Sequence, residues 1–403
     1  MSNTEYNTFN RLTTLKYKDI LEDGRSFLLF GPRQTGKTTE LQSVFKLLPP
    51  NRQLHYYFQV PTTLQAFEND PETLLREVEA KAKSGHKTYV FIDEIQKVPA
   101  ILDVLQYLLD QKKIVLAACG SSTRKLRRLG ANWLPGRVEL KYFFPLTWQE
   151  SNLNINSLTP EEFLRQNLLY GSLPGILSEP TYDVRAEKLA SYTTLYLEEE
   201  IRAEAAVRNL PKFSKFLQLA ALESGIAPNL SKIGQQVGVA HTSIREYFQI
   251  LEDSMLIHKL SAYGRMRDQV LRSPRYYFFD SGVRNAAADL GHGKALLKLD
   301  QGRLFEHFII LEWIARRGGA RKLSYWRTKA GVEVDLIDET NDKLRAIEIK
   351  NTVKLQAEDF KGLDAFAKTY KNSSTFLICN IPRPQKFGPH LALPWQNLNE
   401  AME

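Results

Sequence analysis

The sequence of 403 residues predicts an α/β fold. In its first part, apolar segments of strand length alternate with amphipathic helical segments, which is the pattern of a parallel sheet covered by helices on both faces. Farther along the chain, a glycine turn joins two short helices, and two acidic strand-like segments follow. We therefore expect an N-terminal parallel sheet, a helical linker, a helix-turn-helix module and a C-terminal α/β domain. We place these four parts at residues 1–147, 148–210, 211–285 and 286–403.

Composition restricts the class of protein. Apolar content of 43% and charged content of 25% are ordinary for a globular chain, and no apolar run approaches the length that spans a bilayer, so we expect no membrane association. The N-terminus lacks the apolar core of a signal peptide, and the only cysteines, Cys119 and Cys379, stand far apart. We therefore expect a cytoplasmic protein. The net charge of +8 permits nucleic-acid binding but is weak support for it.

The most specific motif follows the first predicted strand, Phe27–Phe30. The segment from Gly31 to Thr38, GPRQTGKT, fits GxxxxGK[ST], the pattern of a phosphate-binding P-loop. It stands between that strand and the start of a helix. Its glycines allow successive backbone N–H groups to turn inward on a phosphate, and the helix N-terminus adds partial positive charge. A simple glycine turn before a helix is the alternative. We expect this segment to bind ATP.

Each part of this loop has an expected role. Lys37 is expected to reach the β- and γ-phosphates, and the hydroxyl of Thr38 to ligate Mg²⁺. The residues expected to contact the nucleotide are Gly31, Pro32, Arg33, Gln34, Thr35, Gly36, Lys37, Thr38 and Thr39.

The rest of the N-terminal part supplies the other strands and helices. The expected strands are Leu54–Val60, Thr88–Ile92, Lys113–Ala118 and Val138–Phe144, and the expected helices are Pro71–Lys83 and Ala100–Asp110. The sequence YVFIDE ends one of these strands with two acids. We expect Asp93 to hold the Mg²⁺ shell and Glu94 to polarise the attacking water. Two acids that merely cap a strand would be the alternative.

These motifs resemble those of AAA+ ATPases. In that family a further strand lies between the P-loop strand and the acidic strand and ends in a polar sensor residue, so the resemblance implies this role for Ser121 or Ser122. It also implies an arginine from a neighbouring subunit or a later segment. Arg137 is the first candidate and Arg124 the second, although either fits a surface arginine. The sequence shows no clear helical lid with a second sensor arginine, which departs from the family.

Residues 148–210 are expected to be mostly helical, with helices Pro160–Leu169 and Tyr182–Ala205 and a turn at Tyr170–Leu177. The next part predicts a winged helix. Helices at Lys212–Ser224, Lys232–Val237 and His241–Asp253 are followed by strands at Leu256–Tyr263 and Arg275–Asp280. The recognition positions would be His241, Thr242, Ser243, Arg245 and Glu246, and the wing would contribute Arg265, Arg267 and Arg272 as phosphate contacts. A protein-interaction module is the alternative to DNA binding.

The C-terminal part places acids on neighbouring strands. A helix at Gln301–Arg316 carries Glu306, and strands follow at Leu323–Arg327, Glu333–Asp338 and Leu344–Lys350. The last two strands are expected to form a hairpin, which would bring Asp335, Glu348 and Lys350 together. Two carboxylates with a lysine suit metal-assisted phosphodiester hydrolysis, in which the acids hold Mg²⁺ or Mn²⁺ and the lysine orients water.

This spacing resembles the PD-(D/E)XK nuclease core, with Glu306 at the position of that family's helix acid. Val334 stands where the family has proline. The resemblance implies metal ligands at Glu306, Asp335 and Glu348, with catalytic roles for Asp335, Glu348 and Lys350. A salt-bridged hairpin, or a nuclease fold without activity, is the alternative.

Taken whole, the chain resembles a prokaryotic family of AAA+-type ATPases that carry a C-terminal winged helix and a nuclease-like domain. Motifs that carry this resemblance include GPRQTGKTT, FIDEIQ, CGSS, LPGRVEL, YGSLPGIL, RYYFFDSGV and EVDLID. The resemblance implies an ATPase that acts on DNA and whose ATP state controls the C-terminal half. The other reading is an ATP-dependent switch that uses an inactive nuclease fold to bind a protein partner or a second copy of itself.

Overall fold

The computed structural model of the chain describes residues 9–81, 86–122, 134–154, 158–197, 209–264 and 273–403. The chain folds as two compact units. The first comprises Met1–Ile155 and Asp253–Met255, and the second comprises Asn156–Glu252 and Leu256–Glu403. Among the described residues, none of the helices combines the length and the apolarity that crossing a bilayer requires.

The first unit contains a sheet of five parallel strands. They are β1 (Ser26–Phe30), β2 (Gln53–Tyr57), β3 (Thr88–Asp93), β4 (Ile114–Gly120) and β5 (Val138–Tyr142). Their order across the sheet is β2-β3-β4-β1-β5. This order confirms the expected parallel sheet and the strand expected between the P-loop strand and the acidic strand. Described helices of this unit are Thr14–Glu22, Lys37–Lys46, Pro61–Asn69, Thr73–Lys81, Ile101–Asp110 and Trp148–Asn154.

Strand β1 shows why the sheet is covered on both faces. Its successive side chains point to opposite sides, because strand residues alternate across a sheet. Leu28 and Phe30 pack into one apolar cluster, whereas Phe27 and Leu29 pack into another. Every residue of the strand is buried. A strand that must be apolar on both faces therefore reads as an uninterrupted apolar run, which is why the sequence reveals it.

The helix Pro61–Asn69 is not among the expected elements. Its first residue is a proline, which fits the first turn of a helix because the N–H groups there have no partner within the helix. Phe67 anchors the helix, with its ring 4.9 Å from that of Tyr56 and 5.4 Å from that of Phe58. The strand expected to run to Val60 consequently ends at Tyr57.

The second half of the chain contains an eight-stranded sheet of order β12-β13-β11-β10-β9-β8-β6-β7. The strands are β6 (Ile257–Ala262), β7 (Arg275–Phe278), β8 (Leu323–Arg327), β9 (Glu333–Asp338), β10 (Leu344–Ile349), β11 (Ser373–Cys379), β12 (Gln385–Phe387) and β13 (His390–Pro394). Described helices are Pro160–Tyr170, Pro174–Leu177, Tyr182–Ser191, Leu210–Leu222, Leu230–Val237, His241–Asp253, Ser281–Ala287, Lys294–Arg317, Lys361–Thr369 and Leu398–Met402. The expected hairpin is present, since β9 and β10 pair antiparallel.

The hairpin β6–β7 belongs to this larger sheet. β6 pairs antiparallel with β7 and parallel with β8, with Ser261 opposite Ser324 and Ala262 opposite Tyr325. The strands expected in the separate parts 211–285 and 286–403 therefore lie in one sheet. Pairing between distant segments produces this continuity, and local sequence patterns carry no signal for it.

A buried carboxylate fixes the turn that follows helix Pro160–Tyr170. Asp280 accepts hydrogen bonds from the backbone N–H of Ser172, at 2.7 Å, and of Val283, at 3.0 Å. Gly171 has φ of +71°, and a Cβ at that position would lie 1.9 Å from Oδ1 of Asp280. Two of the motifs noted in the sequence, YGSLPGIL and RYYFFDSGV, thus meet at one contact. The glycine is needed both for its backbone angle and for this close approach.

We predict that Gly171→Ala lowers the free energy of unfolding by at least ~2 kcal/mol, because the methyl group adds backbone strain and collides with Asp280. Urea denaturation measures the effect. Gly175→Ala is the matched control, since a Cβ there meets nothing within 4 Å and the residue is exposed in a short helix. Equal midpoints for the two variants would contradict the assigned contact.

Candidate functional site

The loop Gly31–Gly36 connects β1 to the helix Lys37–Lys46 at the carboxyl edge of the first sheet. A Cβ on Gly31 would lie 2.2 Å from the backbone oxygen of Phe143, so only glycine fits where the chain after β5 passes. Gly36 has φ of +93° and precedes the first helical residue. Gln34 also has a positive φ of 62°. The sequence GPRQTGK therefore produces the curled backbone that a phosphate-binding loop requires.

Lys37 is folded over this loop. Its Nζ donates hydrogen bonds to the backbone oxygens of Gly31 and Pro32, each at 2.8 Å. The hydroxyl of Thr35 donates to the oxygen of Pro32 at 2.9 Å. The ammonium group is consequently held at the centre of the loop, where it is largely buried.

The hydroxyl of Thr38 and the carboxylate of Asp93 are directly connected. Thr38 Oγ1 donates to Asp93 Oδ1 at 3.0 Å, and Cys119 Sγ donates to the same oxygen at 2.9 Å. Gln59 Nε2 donates to Asp93 Oδ2 at 3.2 Å. Burial raises the pKa of Asp93, the Cys119 thiol opposes this shift, and the neighbouring charge of Glu94 adds to it. A hydroxyl and a carboxylate at this separation provide the oxygen ligands that Mg²⁺ prefers, so the residues fit that ion.

Glu94 follows Asp93 in a left-handed backbone conformation, with φ of 57°. Its Oε2 accepts a hydrogen bond from Ser121 Oγ at 3.3 Å and another from Gln96 Nε2. Gln96 Nε2 also donates to Ser121 Oγ at 3.3 Å. The structure therefore brings Ser121, one of the two expected sensor residues, to Glu94, and adds Gln96 as a second group on the same carboxylate.

No role for Gln96 was predicted from the sequence, although the residue lies in the motif FIDEIQ. The residue is buried, and its side-chain oxygen would lie 2.3 Å from a Cβ on Gly120. Gly120, at the end of β4, therefore leaves the space that Gln96 occupies. A buried amide beside two acids at a strand end is the signal that could have identified it.

Arg137 does not lie near the P-loop of its own chain. It precedes β5, whose residue Val138 is opposite Ser26 at the amino end of β1, whereas the P-loop follows Phe30 at the other end. The four residue steps along β1 from Ser26 to Phe30 correspond to roughly 13 Å. The guanidinium forms a partly exposed ion pair with Asp110, with Nε 2.6 Å from Oδ1. Arg137 therefore lies at the opposite edge of the sheet from the P-loop of its own chain. Arg124 lies outside the described residues.

A buried network that was not expected supports the P-loop helix. Thr13 Oγ1 and Thr14 Oγ1 donate to the two carboxylate oxygens of Glu40, at 2.6 and 2.9 Å, in the first turn of that helix. Arg11 pairs with Glu150, with Nε 3.1 Å from Oε1, and it donates to the backbone oxygen of Phe144 at 2.7 Å. Residues before the first strand therefore fix both the helix and the segment that passes Gly31.

The second unit brings together the acids that the sequence singled out. The pairing of β9 with β10 places Ile347 opposite Leu336, so that Glu348 and Asp335 follow at the same end of the hairpin. Asp335 Oδ2 accepts a hydrogen bond from the N–H of Ile349 at 2.9 Å, and Lys350 Nζ lies 2.7 Å from Glu348 Oε1. Glu306 reaches the same cluster from helix Lys294–Arg317. We use the name acidic cluster for Glu306, Glu333, Asp335 and Glu348 together with the two basic residues Arg275 and Lys350.

Arg275 is the basic residue of the acidic cluster that was not predicted from the sequence. It extends from β7 and is buried, with NH2 2.8 Å from Glu333 Oε2. Its NH1 lies 3.5 Å from Glu306 Oε1 and 3.7 Å from Asp335 Oδ1. The hydroxyl of Tyr277, also on β7, donates to Glu306 Oε1 at 2.8 Å. A guanidinium group thus lies between the acids that were expected to share a metal ion.

The protonation behaviour follows from burial and crowding. Burial, followed by the charge of Asp335, raises the pKa of Glu306 to about 7 and also raises that of Glu348. Burial raises the pKa of Asp335 too, although Lys350 and Arg275 oppose the shift. Burial alone would lower the pKa of Arg275, but the surrounding Tyr277 and acids outweigh it and raise the value.

Glu306, Asp335 and Glu348 therefore meet as expected, but they do not fit a divalent ion in this arrangement. Arg275 and Lys350 already supply positive charge to the carboxylates. Throughout the ranges that the structure describes, no group of three or more acidic, histidine or cysteine side chains is arranged to hold a metal ion. The metal assignment at this cluster consequently has no geometric support.

The predicted recognition positions lie on helix His241–Asp253. His241, Thr242, Arg245 and Glu246 are exposed and Ser243 is partly buried, whereas Ile244 and Phe248 face the core. The arginines expected in the wing, Arg265, Arg267 and Arg272, lie outside the described residues.

Three family models match the chain. Residues 23–152 match the model described as an AAA domain. Residues 161–294 match a domain of unknown function, DUF8612, and residues 301–398 match another, DUF4143.

The chain is also similar to curated proteins and solved structures. An uncharacterized protein of Mycobacterium tuberculosis is 28% identical over 331 residues, which cover 81% of this chain and 70% of that protein. An uncharacterized protein of Methanocaldococcus jannaschii is 26% identical over 356 residues, which cover 79% of this chain and 74% of that protein. The Walker-type ATPase of Pyrococcus abyssi superposes with a TM-score of 0.47 at 14% identity, covering 70% of this chain and 96% of that one. The structure of the Aeropyrum pernix ORC1 protein in complex with DNA superposes with a TM-score of 0.35 at 14% identity, covering 71% of this chain and 95% of that one.

The AAA-domain match and the strand order of the first sheet agree. The first unit therefore contains a segment that matches an AAA domain and a parallel sheet that resembles that of P-loop ATPases.

We predict that Arg11→Met lowers the free energy of unfolding by about 3–5 kcal/mol, because it leaves the buried carboxylate of Glu150 without its cation. Chemical denaturation measures the loss. Arg25→Met is the control, since Arg25 is exposed in its ion pairs with Asp23 and Glu139 and should leave the midpoint nearly unchanged. Two indistinguishable variants would exclude a structural role for the buried pair.

Proposed function

We propose that this protein binds and hydrolyses ATP with Mg²⁺, and that its ATP state controls a C-terminal half that acts on DNA. One observation carries the ATPase proposal. Thr38 and Asp93 meet at 3.0 Å at the edge where Glu94 is held by Ser121 and Gln96. A magnesium ligand pair beside an oriented carboxylate is the arrangement that ATP hydrolysis needs.

The loop binds the phosphates through its backbone N–H groups. Lys37 exchanges the oxygens of Gly31 and Pro32 for those of the β- and γ-phosphates, so binding of ATP replaces one set of acceptors with a more strongly charged one. Mg²⁺, held by Thr38 and Asp93, would neutralise the developing phosphate charge.

Glu94 is the residue we assign to the attacking water. A carboxylate polarises water only if its lone pairs point toward it, and the side chain is oriented here by two donors, Ser121 and Gln96. Ser121 can then report the state of the γ-phosphate to Glu94 through a single hydrogen bond. Arg137 is proposed as the arginine that one copy supplies to the next, which would couple hydrolysis to self-association.

The DNA part of the proposal rests on the second unit. The three helices Leu210–Leu222, Leu230–Val237 and His241–Asp253, followed by the hairpin β6–β7, have the order of elements of a winged helix. The accessible side chains of Arg245 and His241 lie on the helix that would enter a groove of DNA. The net charge of +8 favours binding to a polyanion. A cytoplasmic location is proposed because both cysteines are free and buried.

A specific observation favours a second candidate function, an ATP-dependent switch with an inactive nuclease fold. Arg275 lies where a nuclease of the proposed type would need a metal ion, 3.5 Å from Glu306 and 3.7 Å from Asp335. The acidic cluster then acts as an ionic connection between β7 and β9, which are separated in the sheet by β6 and β8. In this candidate, the nuclease-like sheet binds a protein partner and does not cleave DNA.

We predict that Lys37→Ala abolishes ATP binding, because the phosphates lose their fixed cation. Glu94→Gln should bind ATP normally and hydrolyse it about 10²-fold more slowly or worse, since an amide cannot accept the proton of the water. Binding of a fluorescent ATP analogue and release of phosphate measure the two effects.

Gln96→Met is the positioning control, and it should slow hydrolysis less than Glu94→Gln while leaving binding intact. Wild-type turnover in Glu94→Gln would disprove the assignment of the base. The same Glu94→Gln variant tests control by ATP state, because its DNA affinity should differ between saturating ATP and ADP; equal affinities would remove that part of the proposal.

We predict that Arg275→Ala gives the acidic cluster a response to metal that the wild type lacks. Without the guanidinium, the carboxylates of Glu306 and Asp335 repel each other, and Mn²⁺ should raise the melting temperature of the variant by binding its folded state. Arg303→Ala removes an exposed arginine from the helix that carries Glu306, where it pairs with Asp300 and not with the acidic cluster, and should show no such response.

Cleavage of linear DNA separates the two candidates. Metal-dependent cleavage by the wild type that disappears in Asp335→Ala would establish the nuclease and reject the inactive fold. Stabilisation of the wild type by Mn²⁺ equal to that of Arg275→Ala would contradict the role given to Arg275.

A further inference from the structure

A groove of about 730 Å³ lies in the second unit between helices and the sheet. One wall is the start of helix Leu230–Val237 with the first turns of helix His241–Asp253, and the other is the end of β8 with the turn that follows it. Its polar lining includes Ser231, His241, Arg245, Arg327, Thr328 and Lys329. None of its lining residues, all of which the structure describes, is acidic.

The charges of the groove come from both walls. Arg245 extends from the helix, whereas Arg327 and Lys329 extend from the strand and its turn, and all three are exposed. The nearest acid to Arg327 is Glu333, with Nε 3.8 Å from Oε2. Glu333 is held more closely by Arg275, at 2.8 Å. The guanidinium of Arg327 is therefore only weakly compensated and remains able to bind an anion.

Three hydrogen bonds close the turn after β8. The N–H of Thr328 donates to the oxygen of Val332 at 2.8 Å, and the N–H of Val332 donates to Oγ1 of Thr328 at 3.1 Å. Gly331, with φ of +87°, allows its own N–H to reach the oxygen of Thr328 at 3.2 Å. Lys329 thus stands on a closed turn, so its backbone loses little freedom when an anion binds.

The two walls are connected within one body. Tyr276 of β7 stacks on Phe248 of helix His241–Asp253, which we call the recognition-position helix, with ring centroids 4.3 Å apart. On the other side, Tyr325 of β8 pairs with Ala262 of β6 and donates to the backbone oxygen of Ser273 at 2.8 Å. The spacing between the cations of the helix and those of the turn is therefore fixed by the sheet.

We propose that this groove binds the phosphate backbone of duplex DNA, and that Arg327 and Lys329 supply phosphate contacts beside the recognition-position helix. This inference rests on the DNA binding proposed above and adds to it a surface outside the helix-turn-helix. Phosphate oxygens only accept hydrogen bonds, and the groove offers guanidinium, ammonium and hydroxyl donors with no acidic residue in its lining. Contacts of this kind position a duplex and carry no sequence information themselves.

The test uses the full chain and a fluorescein-labelled 30-base-pair duplex, with anisotropy measured over a series of KCl concentrations. In the variant Arg327→Ala/Lys329→Ala, the slope of log affinity against log salt should fall by about 2, since each lost phosphate contact reduces it by about 1. The control Lys368→Ala/Lys371→Ala removes the same charge from exposed positions elsewhere in the second unit and should keep the wild-type slope. All four side chains are exposed, so melting temperatures should confirm that the variants remain folded.

The outcomes separate this inference from the proposed function. DNA binding by the wild type with an unchanged slope in Arg327→Ala/Lys329→Ala would overturn the groove and leave DNA binding intact. Absence of DNA binding by the wild type in every nucleotide state would reject the proposed function and the groove with it. Tighter binding of labelled polyglutamate than of the duplex at equal salt would show that the groove takes an acidic protein, and would also overturn the inference.

Discussion

The position of β4 between β1 and β3 determines the geometry of the first unit. Parallel pairing puts the carboxyl ends of all three strands at one edge, and the inserted strand separates the P-loop from the acidic pair by the width of one strand. Asp93 can then reach across to Thr38 while Cys119, from the intervening strand, donates to the same carboxylate oxygen.

Sequence patterns predicted this unit well because its elements are short, apolar and local. A fully buried strand must be apolar on both faces, and the P-loop needs glycine at fixed positions, so both leave a direct mark in the sequence. Gln96 and Arg11 left no such mark. Each acquires its role only when distant segments meet, as Gln96 does with Ser121 and Arg11 with Glu150.

The acidic cluster shows the same limit more sharply. The strand alternation that predicts convergence of Asp335, Glu348 and Lys350 is a local property, and the structure brings these residues together. Arg275 comes from a strand much earlier in the chain, and nothing in its own neighbourhood indicates that it faces Glu306. Buried arginine therefore changes the chemistry of a site that the sequence identifies only by its acids. In both units, a buried arginine neutralises nearby carboxylates: Arg11 pairs with Glu150, and Arg275 pairs with Glu333. Such pairing is needed because an unpaired charge in a protein interior is costly.

The parallel pairing of β6 with β8 has a consequence for how the second unit is assembled. Residues 286–403 read as a separate domain in the sequence, yet their strand β8 has β6 as its neighbour on one side. A fragment that begins at residue 286 would present β8 as an open edge with unsatisfied N–H and C=O groups, which is a template for aggregation. The intact unit must instead join strands far apart in the chain before that edge is covered, which favours slow folding. A boundary drawn from sequence alone would thus divide one sheet between two fragments. The fragment that begins at residue 286 would expose β8 as an unpaired, aggregation-prone edge strand.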